Sequence, residues 1–206
     1  NLKSWNQYIL KKTFSHDKFQ NYLQNAEKTN QFTNYGWAAR ELEIRARDML
    51  KIDESKAIIA CCSGTAALHA MLWGIQRQDG QQRVGTQDFT FASNSLGPAE
   101  GPIVADMKSD YNINLEDPYI NYAKILIITN VFGHLQDLDY ISEYYFPYII
   151  FDNAASPYTF WEGSNSCNYP TGSYISLHHT KPIGFGEGGL AIIDKQYEES
   201  VRTATN

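Results

Sequence analysis

The sequence predicts an α/β fold: a three-layer sandwich with a mainly parallel central sheet. Short apolar runs recur at 57–61 (AIIAC), 102–106 (PIVAD), 123–130 (AKILIITN) and 148–152 (YIIFD). They are apolar along their whole length rather than alternating, as strands buried on both faces are. Helical or irregular stretches separate them, the spacing a sheet covered on both sides requires.

The composition suits a folded core. The chain has 206 residues and 43% hydrophobic content, with a net charge of −6, so one domain is the default. No basic run offers an electrostatic footprint for nucleic acid, and the apolar runs fall far short of membrane-spanning length. No charged-then-apolar leader is present, so secretion is not indicated. Asn1 in place of a methionine reads as a trimmed start. Cys61, Cys62 and Cys167, an adjacent pair plus one, give no disulfide framework, and a reducing, cytoplasmic setting is expected.

Residues 1–30 are polar with scattered apolar positions at Trp5, Tyr8, Ile9, Phe14, Phe19, Tyr22 and Leu23. They are read as a helical segment of short helices, separate from 31–206. Asn34-Tyr35-Gly36 signals a turn, and a helix follows to about Leu50 with Leu42, Ala46, Met49 and Leu50 on one face. After strand 57–61, Ser63-Gly64-Thr65 leads into a helix over 66–76 that is apolar nearly all round and so buried. Ser63 or Thr65 can cap it. A strand, a small-residue turn and a helix start together present free N–H groups to an anion; ordinary capping explains the same residues.

Residues 82–90 form a weaker strand and loop, and 90–93 (TFAS) open another helix. Strand 102–106, the Asp117-Pro118 break, strand 123–130, a short helix over 138–145 and strand 148–152 follow. Asp152 therefore closes a strand, at the edge where open α/β sheets bind ligands. Residues 157–172 read as irregular.

The most informative stretch is 172–193, GSYISLHHTKPIGFGEGGLAII. A strand at 173–177 and another at 189–193 flank a turn with one lysine, Lys181. Pro182 cannot extend a ladder, and Gly184, Gly186, Gly188 and Gly189 permit close backbone approach. Those glycines match G-x-G-x-x-G, but they lead into a strand, not a helix, so a dinucleotide fingerprint is rejected. His178 and His179 lack a third ligand at useful spacing, so no zinc site is expected. Lys181 is either a solvated turn lysine or a Schiff-base lysine.

A helix-start anion site, a carboxylate at a strand end and a lysine after a strand together suit pyridoxal 5'-phosphate (PLP), which needs a phosphate cradle, a partner for its ring nitrogen and an amine. Here the sequence resembles the DegT/DnrJ/StrS nucleotide-sugar aminotransferases, of PLP fold type I. The resemblance rests on FTNYG (32–36), SGTAAL (63–68), Thr90-Phe91, ADMKSDYNI (105–113), TNVFGHLQDLDYI (129–141), FDNAAS (151–156) and SLHHTKPIGFGEGG (176–189). It covers the chain from about residue 30 onward.

The resemblance implies that 31–206 is a PLP-binding large domain. Lys181 would bind PLP and move the proton, Asp152 would pair with the ring nitrogen, and Phe91 would stack on the ring. Gly64, Thr65 and Ser176 would hold the phosphate. It implies amino transfer from glutamate to a nucleotide-linked keto-sugar, and a homodimer. Dehydratase relatives carry histidine at the lysine position, so Lys181 favours transamination. Two departures stand out. Ala155 occupies a position where the family often has a glutamine that contacts the ring hydroxyl. The family also continues into a smaller C-terminal domain, whereas this sequence stops at Asn206, which reads as a fragment, a split protein or a truncated relative. A cofactor-binding module without turnover and a plain α/β domain are the rival readings.

Overall fold

A computed structural model describes residues 12–205. Trp5, Tyr8 and Ile9 lie outside the described residues. Helix α1 (His16–Thr29) is one continuous helix where short ones are expected; Ser15 caps its start, and Asn30 takes the left-handed conformation that ends it. Helix α2 (Trp37–Leu50) follows, then strand β1 (Lys56–Cys61) and helix α3 (Gly64–Asp79). Strands β2 (Val84–Gln87), β3 (Ile103–Ala105) and β4 (Ile125–Thr129) come next, followed by the short helix α4 (Leu138–Ser142) and β5 (Tyr148–Asp152). The two-residue strands β6 (Phe160–Trp161) and β7 (Ser164–Asn165) precede β8 (Gly172–Ser176), β9 (Gly189–Asp194) and helix α5 (Glu198–Ala204).

Seven strands form one sheet in the order β1-β9-β8-β5-β4-β2-β3. Only β9 is reversed, pairing antiparallel with both β1 and β8. The expected three layers are present. Alternate strand residues divide the core: Ala57, Ile59, Ile125 and Ile127 pack with α3, while Ile58 packs with Ala46 and Leu50 of α2. Leu126, Ile128 and Phe151 meet Ile141 of α4 on that second side. Helix α3 buries Ala67, Leu68, Met71, Leu72 and Ile75 completely, as its nearly all-apolar sequence requires, but Trp73 is 37% exposed with Arg77 over its ring.

Three expectations change. The apolar face of α2 is narrower than its pattern: Ala46 and Leu50 are buried, but Leu42 and Met49 are 38% and 50% exposed. The helix covers the margin of the sheet beside β1, so only one stripe meets strands. The helix expected to open at 90–93 is reduced to 3₁₀ turns at Ala92–Ser95 and Gly97–Ala99. Gly97 is left-handed at φ +58°, and Pro98 offers no N–H to continue a helix. In the stretch read as irregular, β6 and β7 form a ribbon. Its turn residues Glu162 and Gly163 both have positive φ, the geometry of a tight hairpin. Among the described residues, no helix is long and apolar enough to cross a membrane.

Candidate active site

Parallel strands bring their carboxyl ends to one edge, and a cavity of about 600 Å³ opens there. All six residues singled out from the sequence line it: Gly64, Thr65, Phe91, Asp152, Ser176 and Lys181.

Helix α3 supplies one wall. Ser63 is extended and its hydroxyl accepts from the Ala66 amide at 3.0 Å; the Ala67 amide donates to the Ser63 carbonyl at 3.0 Å. Ser63, not Thr65, is therefore the cap. The amides of Gly64 and Thr65 are the helix-start donors left over. Ser176, at the end of β8, stands against this turn: a Cβ on Gly64 would lie 3.0 Å from the Ser176 Cβ. Ser176 Oγ accepts from the His178 amide at 3.3 Å, which leaves its own proton free to donate. Gly189 closes the turn from behind, where a Cβ would fall 2.2 Å from the Ser63 carbonyl oxygen. Amides, a hydroxyl and a helix dipole make a donor set that fits a phosphate.

Asp152 ends β5 and is 4% exposed. Its Oδ1 accepts from the Ala154 amide at 3.0 Å, and its Oδ2 from Thr129 Oγ1 at 3.2 Å and Asn94 Nδ2 at 3.4 Å. Burial pushes the carboxyl above the ordinary carboxylate range, while Tyr174, the Ala154 amide, Thr129 and Asn94 pull it down. A cation brought against Asp152 would remove that conflict, and a protonated ring nitrogen is such a cation.

Lys181 lies five residues past β8, in a turn held by Lys181 N to His178 O at 2.8 Å and Gly184 N to Lys181 O at 3.3 Å. Gly184 is required there by close approach, since a Cβ would come within 2.0 Å of the His178 carbonyl oxygen. The N-terminal segment reaches this turn. The Lys12 ammonium donates to the carbonyl oxygens of Lys181 and Gly184, and the Phe14 and Phe185 rings meet at 5.3 Å. His178 lines the cavity and pairs with Glu187 at 3.4 Å and with Thr180 Oγ1 at 2.8 Å.

Phe91 stands at the rim, 68% exposed, near Phe89 and Phe132. Ala155 brings no polar side-chain atom, and Ser156 cannot replace it, because its hydroxyl donates to the Asn130 carbonyl at 2.7 Å. The residues that support Asp152 were not singled out from the sequence. Thr129 had a usable signal, since it ends β4 in register with Asp152. Asn94 and Tyr174 had none.

The mostly parallel seven-stranded sheet matches the fold of the PLP-dependent fold type I aminotransferases. The chain belongs to the DegT/DnrJ/EryC1/StrS aminotransferase family, whose model matches residues 14–205. Its fold is similar to Helicobacter pylori PseC, an aminotransferase involved in the biosynthesis of pseudoaminic acid, with a TM-score of 0.76 and 18% identity over 95% of this chain and 54% of that one. DesI, solved in the presence of its TDP-sugar product, gives 0.75 and 16% over 93% and 50%. An aminotransferase from Psychrobacter cryohalolentis gives 0.73 and 20% over 94% and 50%. The chain thus spans about half the length of the structures it matches.

Proposed function

We propose that this chain is the cofactor-binding part of a PLP-dependent aminotransferase that moves an amino group from an amino acid, glutamate in this reading, to a nucleotide-linked keto-sugar. The observation that carries it is the convergence of Lys181, Asp152 and the α3 start on one cavity. Residues 31–206 are the PLP-binding domain in this reading, with 1–30 a helical segment attached to it.

When bound, PLP supplies an electron sink. The chain does the rest. The Gly64 and Thr65 amides and the Ser176 hydroxyl bind the phosphate. Asp152 keeps a proton on the ring nitrogen by opposite charge. Phe91 covers a face of the ring. Lys181 Nζ would hold the cofactor through its aldehyde group and, when free, its amine would serve as the acid and base that carries the proton during transfer. The exposed aromatic rim of Phe89, Phe91 and Phe132 supports a homodimer whose second copy covers the cavity mouth.

A second reading is a chain that binds PLP without turnover of its own. Borohydride reduction in the presence of PLP should label Lys181 under both readings, and peptide mapping that finds the label elsewhere refutes both. Lys181→Ala should lose the yellow absorbance. Amino transfer from glutamate distinguishes the two.

A further inference from the structure

Beside Asp152 a polar chain runs from buried Tyr174 and Asn94 to Thr90 and Thr129 on the cavity wall, and the proposed function does not use it. Tyr174 Oη lies 2.8 Å from Asn94 Oδ1, Asn94 Nδ2 lies 2.7 Å from Thr90 Oγ1, and Thr90 Oγ1 lies 2.6 Å from Thr129 Oγ1. Thr129 Oγ1 reaches Asp152 Oδ2 at 3.2 Å. Asn94 is 0% and Tyr174 1% exposed, so water does not stand in for a missing partner.

The direction of every link follows from the donor inventory. An ionised Asp152 only accepts, so the single Thr129 proton goes to it. Thr90 must then donate to Thr129. Thr90 Oγ1 must in turn accept from the Asn94 amide nitrogen, whose second proton faces Asp152 Oδ2 at 3.4 Å. The Asn94 carbonyl is left to accept, from Tyr174 and at 3.2 Å from Ser93 Oγ. With the amide turned over, its carbonyl oxygen would face the carboxylate and its NH₂ the Tyr174 hydroxyl.

We propose that Tyr174 and Asn94 are positioning residues for Asp152: the Tyr174 hydroxyl sets the Asn94 amide, and a one-way relay of donors through Thr90 and Thr129 holds Asp152 as an anion with Oδ2 turned into the protein. The relay keeps the carboxylate charged and aimed before any cofactor arrives, a preorganised electrostatic partner. Its place in catalysis rests on the reading of Asp152 as the partner of the ring nitrogen. Tyr174 is kept as a donor, because burial and then the Asp152 charge push its hydroxyl well above the ordinary tyrosine range. The other titratable groups on the cavity wall are His178, Lys181 and Glu187.

The test follows the Asp152 carboxyl itself by ¹³C NMR in the cofactor-free chain, with Asp152→Asn to assign the signal. Tyr174→Phe and Thr129→Val should each raise its titration midpoint by about one pH unit, tenfold in proton affinity. Tyr174 reaches Asp152 chiefly through Asn94, so Tyr174→Phe should move the midpoint less in the Asn94→Ala background than in the parent chain. Unmoved midpoints in the single variants overturn the relay, as does an equal Tyr174→Phe shift in both backgrounds. Should Asn94→Ala fail to fold, the Tyr174→Phe and Thr129→Val midpoints decide alone. Borohydride labelling of Lys181 in the same preparations tests the cofactor reading separately: shifted midpoints with Lys181 unlabelled support the relay and discard the function.

Discussion

With 4% of its surface exposed, Asp152 has almost no water to stabilise its charge and relies on four protein groups to do so. Burial still wins, and the folded-state pKa lies above the ordinary value. A raised folded pKa contributes stability that is present in acid, below the unfolded value of about 3.9, and lost as pH rises through the folded value. In the cofactor-free protein, stability measured by urea unfolding should therefore shift in favour of Asp152→Asn as pH rises from about 4 toward 7. The opposite trend would mean that the donors outweigh desolvation. Asp152 and Lys181 were both legible as residues following strands. The relay was not, because its members are joined by hydrogen bonds between side chains as far as 80 positions apart.

Among the elements, α3 shows how closely local sequence and site are linked. Its all-round apolar character buries it, and burial holds its first turn against Ser176 and Gly189. Removing the cap leaves the Ala66 amide without its partner. Ser63→Ala should cost about 1 kcal/mol of stability in chemical denaturation and weaken inorganic phosphate binding in the same assay; an unchanged midpoint would show that the cap contributes nothing. The strand assignments in the main sheet agree with the structure because apolar runs this short and this rich in isoleucine suit strands better than helices. The helix expected at 90–93 failed through Gly97-Pro98, a breaker seven residues downstream. Leu42 and Met49 misled because periodicity reports which residues share a face, not how much of that face a neighbour covers.

Across the whole molecule, the sheet works as a partition with a core on each side. Met71 sits in the core on the α3 side at 0% exposure, and a Cβ on Gly172 of β8 would lie 3.0 Å from its sulfur. Met71→Ala should destabilise the chain by about 2–5 kcal/mol, read by denaturant unfolding; a loss under 1 kcal/mol would mean that the core collapses onto the gap. A second tie joins distant parts. Arg202 of α5 bonds both Glu43 carboxylate oxygens at 3.1 and 3.0 Å and the Ile58 carbonyl at 3.3 Å. It links α5 to α2 and β1 around the edge of the sheet that β1 forms.

The sequence by itself determined the α/β class, the strands of the main sheet, and the placing of Ser63-Gly64-Thr65, Asp152 and Lys181 at or just beyond strand ends. These are local matters, decided by side-chain period, turn chemistry and the limits of glycine and proline within a few residues. Only the tertiary structure decided that β9 inserts reversed between β1 and β8 and that Asn94 and Tyr174 meet beneath Asp152. Strand order arises from how whole faces of the sheet are covered at once, and the partners of a buried hydrogen bond follow from that order rather than from their neighbours in the chain.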